Sequence, residues 1–96
     1  MNSFRLSRRA RSDLESIWDY TAEGWGVEQA DSYVQQIWEV IGKLAGKPSL
    51  GRDASAVRPG LLKYPAQSHM IQFRAAPGVI SVVRVLHQKM DLGRHL

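Results

Sequence analysis

A tight Gly-Trp-Gly link at residues 24–26 joins two stretches that both have the apolar periodicity of an amphipathic helix. Ser7 can cap the first helix, and its apolar stripe comprises Ala10, Leu14, Ile17, Trp18, Thr21 and Trp25. The second helix runs from about Val27 to Ala45, with the stripe Ala30, Tyr33, Val34, Ile37, Ile41 and Leu44. Glycine readily adopts the left-handed backbone geometry of a helix stop. The link therefore predicts an antiparallel helical hairpin.

Strand-like runs flank this hairpin on both sides. Residues 2–6 precede it, and residues 61–64, 69–75 and 79–87 follow a predicted loop at residues 47–60. A Pro-Gly pair at 77–78 favours a hairpin turn between the last two runs, and the final run is apolar on both faces, as in a central strand. The order β-α-α-β-β-β predicts an α+β fold, with the helical hairpin packed on one face of a small antiparallel sheet.

Composition narrows the classes of protein to which the chain can belong. Its 96 residues predict a single domain, 1–96, and its net charge of +4 favours an acidic partner. It has no cysteine, which excludes disulfides and a thiol nucleophile. The N-terminus has no apolar signal-peptide region, and no stretch approaches the length of a membrane span. We therefore expect a cytoplasmic protein with no membrane contact.

Helices on one side would leave alternate strand residues on the other, open face of the sheet. Arg74 shares one set with Met70 and Gln72, and Arg84 shares one with Ile80, Val82 and Leu86. Because a buried unpaired arginine is costly, Arg84 should either face the open side or have a carboxylate partner. Two interpretations remain: solvated residues with one structural ion pair, or a surface that recognises anions.

The histidines and aromatic residues give little indication of metal binding, catalysis or base stacking. His69, His87 and His95 lack the short spacings of metal ligands, so we predict no metal site and no cofactor. Acid–base cleavage of RNA would need a histidine and an arginine at one phosphate, and His69 and Arg74 have opposite parity on their strand. We predict no catalytic residue. The tryptophans lie on helices, where packing or partner contact is expected rather than base stacking.

Several motifs, in order, carry a resemblance to a known family. They are "LSRRARSDL", "WGVEQA", "RPGLLKYP", "SHMIQFR", "RVLHQKMD" and the terminal "HL". From about Phe4 to Leu96 the chain resembles the ParE branch of the RelE/ParE toxin superfamily. The resemblance implies a bacterial type II toxin neutralised by a ParD-like antitoxin, which has a DNA-binding part and an acidic tail that wraps the toxin. It also implies action on DNA gyrase, in which the cleaved DNA complex is trapped and replication stops, with only indirect contact to DNA.

The resemblance further implies two sets of functional residues. The C-terminal region is expected to carry toxicity through His87, Lys89, Met90, Asp91, Arg94 and His95. The antitoxin is expected to contact apolar anchors at Trp18, Trp38 and Val40 and basic residues at Arg58, Arg74 and Arg84.

Two alternatives stay open at this point. RelE-like relatives share the fold but cut messenger RNA on the ribosome, with basic residues and a tyrosine or histidine near the last strand. The chain has no tyrosine after Tyr64 and its tail follows the ParE pattern, whereas His87 and Lys89 are compatible with either activity. The third hypothesis is an inert member retained as a partner for its antitoxin.

Overall fold

Two helices pack on one face of a five-stranded sheet, which confirms the predicted α+β class. The computed structural model describes residues 3–90 of the chain, and of Met90 only the backbone. In chain order the elements are β1 (Ser3–Leu6), α1 (Arg8–Trp25), α2 (Val27–Gly46), β2 (Arg52–Asp53), β3 (Leu62–Ala66), β4 (His69–Ala76) and β5 (Val79–His87). Short 3-10 turns lie at Pro48–Leu50 and Gln88–Met90.

The helical hairpin forms where the glycine link predicts it. The Ser7 side chain accepts a hydrogen bond from the Ala10 N–H at 2.9 Å and caps α1. Gly26 has φ of 97°, ends α1 and directly precedes α2. Trp25 was predicted on the buried stripe but is 67% exposed. It is the last residue of α1, one turn beyond Thr21, where the buried part of this helix ends.

The sheet has the strand order β1-β5-β4-β3-β2. β1 pairs with β5 in parallel, and the other neighbours are antiparallel. The predicted loop contains β2, because Arg52 and Asp53 pair with β3. β3 continues past the predicted end at residue 64 and includes Pro65. β2 pairs with only two residues of β3, so Pro65 removes no hydrogen bond on that side of the strand.

A β-bulge in β5 reverses the alternation of its side chains. Phe73 pairs with Val82 and Gln72 with Arg84, so Val83 is an extra residue on β5. Val82 before the bulge and Val85 after it are both buried against the helices. The expectation that Arg84 shares a face with Ile80 and Val82 is therefore wrong.

The core lies between the helices and one face of the sheet. Its largest fully buried side chains are Ile37, Ile41, Leu44, Ile71, Phe73, Ile80, Val82 and Val85. Across residues 3–90, the opposite face carries no helix, and we refer to it as the open face. Neither helix in this range combines the length and apolarity that a membrane crossing requires.

Candidate functional site

An apolar groove of about 380 Å³ lies where α1, α2 and β1 meet. Trp18 comes from α1 and Trp38 from α2, so the hairpin brings together two of the predicted apolar anchors. The Trp18 indole donates to Asp31 Oδ1 at 2.8 Å, which fixes its orientation. The Trp38 ring packs 5.7 Å from the partly exposed ring of Phe4. We call this surface, lined by Leu6, Arg11, Leu14, Glu15, Trp18, Val34 and Trp38, the tryptophan groove.

The tryptophan groove borders an edge of the sheet. β1 is the terminal strand, and in the described part of the chain its only strand neighbour is β5. An edge strand offers backbone N–H and C=O groups to an incoming chain. The groove and this edge together form a surface suited to a partner segment. Val40, the third predicted anchor, is instead partly buried against the core and does not line the groove.

A second cavity, of about 310 Å³, lies on the open face and contains two of the three predicted arginines. Arg58 reaches it from the loop before β3, and Arg84 from β5. Arg9 and Gln72 also line it, and sequence analysis named neither as a site residue. We call it the basic pocket. Arg74 lies outside its lining and donates to the Pro59 carbonyl at 2.7 Å, which ties β4 to the loop.

Arg84 is partly exposed on the open face and has a carboxylate partner. Its Nε and Nη2 donate to Asp13 at 2.8 and 2.9 Å, and the Val85 N–H donates to the same carboxylate at 2.9 Å. The hydrogen bond to Asp13 raises the pKa of Arg84. The guanidinium is therefore held at the wall of the basic pocket by α1. The sequence predicted either an open-face position or a carboxylate partner for Arg84, and the structure shows both. The sequence could not identify the partner, because Asp13 and Arg84 are far apart in the chain.

The two described histidines lie beneath the helices, away from the basic pocket. Tyr33 Oη lies 2.8 Å from His69 Nδ1, and the His69 and His87 rings are 5.2 Å apart. Because Tyr33 Oη accepts from the Ser68 N–H at 3.1 Å, its own hydroxyl proton is available for His69. Burial first, and then the charge of His87, lower the pKa of His69 to about 4. His69 is thus neutral at pH 7.

This placement bears on the alternative of RNA cleavage. His69 and His87 face α1 and α2, whereas Arg58, Arg84 and Gln72 line a pocket on the other side of the sheet. In the described residues, no histidine and arginine therefore converge on one phosphate position. Residues 3–90 also contain no group of three or more His, Asp or Glu side chains placed to hold a metal ion.

The predicted toxicity residues fall at the boundary of the described chain. His87 is partly buried, and its Nδ1 accepts from the Lys89 N–H at 3.1 Å, while Lys89 is exposed. Met90 ends the turn Gln88–Met90. Asp91, Arg94 and His95 lie outside the described residues.

Comparison with known proteins identifies the family. Residues 4–92 match the family model for the ParE toxin of type II toxin–antitoxin systems, parDE. This chain belongs to the ParE toxin family. The toxin ParE1 of Mycobacterium tuberculosis is 44% identical over 94 residues, which cover 97% of this chain and 96% of that relative. The toxin ParE1 of Caulobacter vibrioides is 38% identical over 96 residues, which cover 100% and 99% of the two chains.

Solved structures agree with this assignment. A chain of the chromosomal ParDE system from P. aeruginosa superposes on this ParE toxin with a TM-score of 0.78 and 26% identity, covering 91% of this chain and 96% of that one. A chain of the M. tuberculosis toxin–antitoxin complex RelBE2 superposes with a TM-score of 0.64 at 17% identity, covering 91% and 98%. The second likeness shows the shared RelE/ParE-like fold.

Proposed function

We propose that this ParE toxin inhibits DNA gyrase and that a ParD-like antitoxin neutralises it. The observation that carries the proposal is the family match over residues 4–92, which covers both helices and all of the sheet except the first residue of β1. The separation of the described histidines from the basic pocket favours action by binding over RNA cleavage. Action on gyrase places the toxin in the cytoplasm.

The antitoxin would bind through the tryptophan groove and the adjoining edge of β1. The groove surface is mostly apolar, although Arg11 and Glu15 also line it, and partly exposed aromatic side chains of this kind are typical of a protein interface. The similar P. aeruginosa chain comes from a ParDE toxin–antitoxin system. An acidic antitoxin segment would also suit the +4 charge of this chain. In this proposal Trp18 and Trp38 are the apolar anchors.

The C-terminal residues from His87 onward would carry the contact with gyrase. Lys89 is exposed and lies within the Gln88–Met90 turn that directly follows β5. A partner can reach this region while the tryptophan groove is occupied, because the groove is lined by α1, α2 and β1 and not by the end of β5. Met90, Asp91, Arg94 and His95 complete the proposed contact.

A plasmid cleavage assay with purified gyrase tests the proposal. The wild-type toxin should increase linear, gyrase-linked DNA, and addition of the ParD-like antitoxin should abolish the increase. Lys89→Ala and Arg94→Ala should each reduce the increase about 5-fold, the loss expected when a charged contact worth about 1 kcal/mol is removed. Lys47→Ala is the matched control, because Lys47 is an exposed cation at the far end of α2.

Two results would contradict this function. A toxin that arrests growth without any gain in gyrase-linked DNA does not act on gyrase. Toeprints that show messenger RNA cut on translating ribosomes in its presence would establish the RelE-like activity instead. If both assays are negative and the antitoxin still binds, the chain is the inert partner of its antitoxin.

A further inference from the structure

The basic pocket contains a buried hydrogen-bond donor without an acceptor. Gln72 is only 3% exposed, yet its Nε2 has no hydrogen-bond partner within residues 3–90. Leaving such a donor unsatisfied costs about 1–3 kcal/mol. The side chain lines the cavity directly, so a molecule that enters the pocket can supply the missing acceptor.

The charge around Gln72 selects a negatively charged acceptor. Arg84 is balanced by Asp13, which accepts both of its described hydrogen bonds. Arg9 and Arg58 are exposed and add positive charge at the rim of the same cavity. A carboxylate placed against Gln72 would accept from Nε2 and lie beside the guanidinium groups, which form strong hydrogen bonds to such anions.

The open face disfavours nucleic acid as the source of this anion. Single-stranded nucleic acid is usually bound on aromatic side chains that stack with its bases. The aromatic residues of the described strands all face the helices: Phe4 packs on Trp38, Tyr64 lies under Lys43, and Phe73 is in the core. The pocket wall instead includes apolar side chains such as Val57 and Leu86, which suit the methylene groups of an acidic residue.

We propose that the basic pocket binds one carboxylate side chain of an acidic peptide segment, with Gln72 Nε2 as the buried donor and Arg9 and Arg58 as charged partners. The inference rests on the proposed antitoxin, since that protein supplies the acidic segment. It extends the predicted antitoxin contacts by two residues, Arg9 and Gln72. It also assigns Arg58 and Arg84 to one site and leaves Arg74 out of it.

This proposal can be tested by titrating the full chain with a peptide probe. Binding is monitored by nitrogen-15 NMR through the side-chain amide signal of Gln72. The probe is a terminally blocked Ala-Ala-Glu-Ala-Ala peptide, compared with the same peptide carrying Gln. The Gln72→Leu variant assigns the signal. We expect a saturable shift with the Glu peptide and about 10-fold weaker binding of the Gln peptide, because one charge-assisted hydrogen bond is lost.

Two variants distinguish specific binding in the pocket from non-specific electrostatic attraction of the peptide to the basic protein surface. Arg58→Gln should weaken binding of the Glu peptide about 10-fold. Arg52→Gln removes the same charge from the same face but outside the pocket, since Arg52 is exposed and pairs with Lys63, which pairs with Gln72. This control should change binding less than about 2-fold, as expected for a screened surface charge.

Three results would overturn the proposal. They are an unmoved Gln72 signal at saturating Glu peptide, equal responses to the Glu and Gln peptides, and equal losses in Arg58→Gln and Arg52→Gln. Tighter binding of inorganic phosphate than of the Glu peptide would assign the pocket to phosphate instead. The toxin is used alone, so these outcomes do not depend on gyrase, and the plasmid assay can succeed while this inference fails.

Discussion

Asp13 shows how one side chain of α1 can replace a missing stretch of strand. β1 pairs with β5 only as far as Val82, so the next part of the β5 edge has no strand neighbour on that side. The Ser7 hydroxyl donates to the Val83 carbonyl at 2.7 Å, and Asp13 accepts from the Val85 N–H at 2.9 Å. These bonds satisfy backbone groups that would otherwise lack partners and anchor α1 on the sheet.

The lowered pKa of His69 should make the stability of the folded protein depend on pH. Its pKa is about 4 in the folded protein, below the ordinary value of 6.5. Between these values the unfolded chain binds more protons, so the free energy of unfolding falls as the pH falls. For this partly exposed group we expect a loss of roughly 1 kcal/mol between pH 7 and pH 5.5.

The matched variant for this measurement is His69→Asn, which keeps an acceptor for Tyr33 but does not titrate. Urea unfolding of both proteins at several pH values gives two profiles. Between pH 7 and pH 5.5, the free energy of unfolding of the wild type should fall by roughly 1 kcal/mol more than that of the variant. Parallel profiles would mean that His69 titrates normally and that the Tyr33–His69 contact does not depend on its charge state.

At the scale of elements, the link between the helices can be tested with two neighbouring glycines. Gly26 has φ of 97° and ψ of 164°, a conformation that L-residues rarely adopt, whereas Gly24 lies within α1. An added Cβ meets no other atom within 4 Å at either position. Backbone strain alone should therefore make Gly26→Ala destabilising by about 1–3 kcal/mol. Gly24→Ala should stabilise the protein by about 0.5–1 kcal/mol, because alanine favours the helix.

Urea unfolding of the two variants decides this prediction. A lower free energy of unfolding in Gly26→Ala and a higher one in Gly24→Ala would support the proposed role of Gly26 in the hairpin. Equal effects in the same direction would mean that Gly26 has no special role and that the link tolerates a side chain.

The helices were predictable from sequence because their signals are local. The Ser7 cap, the apolar stripes and the glycine link all act within a few residues, and the structure places both helices close to the predicted bounds. β2 and the bulge at Val83 were not predictable, because both depend on pairing between distant residues. The bulge turns Arg84 toward the basic pocket, the proposed site for an acidic segment.

The candidate sites could also be predicted from the sequence only in part. Trp18 and Trp38 were named from the resemblance, and the hairpin brings them into one groove. The basic pocket could not be predicted as a unit, because its arginines come from α1, the loop before β3, and β5. A glutamine within a strand pattern carries no signal of its own. Gln72 became informative only when its burial and missing acceptor were known.

At the scale of the whole molecule, the two surfaces meet at the start of α1. Leu6 and Arg11 line the tryptophan groove, while Ser7 and Arg9, which lie between them in the chain, line the basic pocket. An extended partner can therefore pass around the β1–α1 junction and occupy both surfaces. In the proposed complex, one antitoxin chain would have an apolar anchor and a charged contact on opposite sides of the sheet.

Fluorine-19 NMR of the toxin labelled with 5-fluorotryptophan tests this central claim most directly. The chain has three tryptophans, and Trp25 is an internal control because it is 67% exposed at the tip of the hairpin. On addition of the ParD-like antitoxin, the signals of Trp18 and Trp38 should shift while that of Trp25 stays in place. A shift confined to Trp25 would place the antitoxin at the hairpin tip and contradict the account.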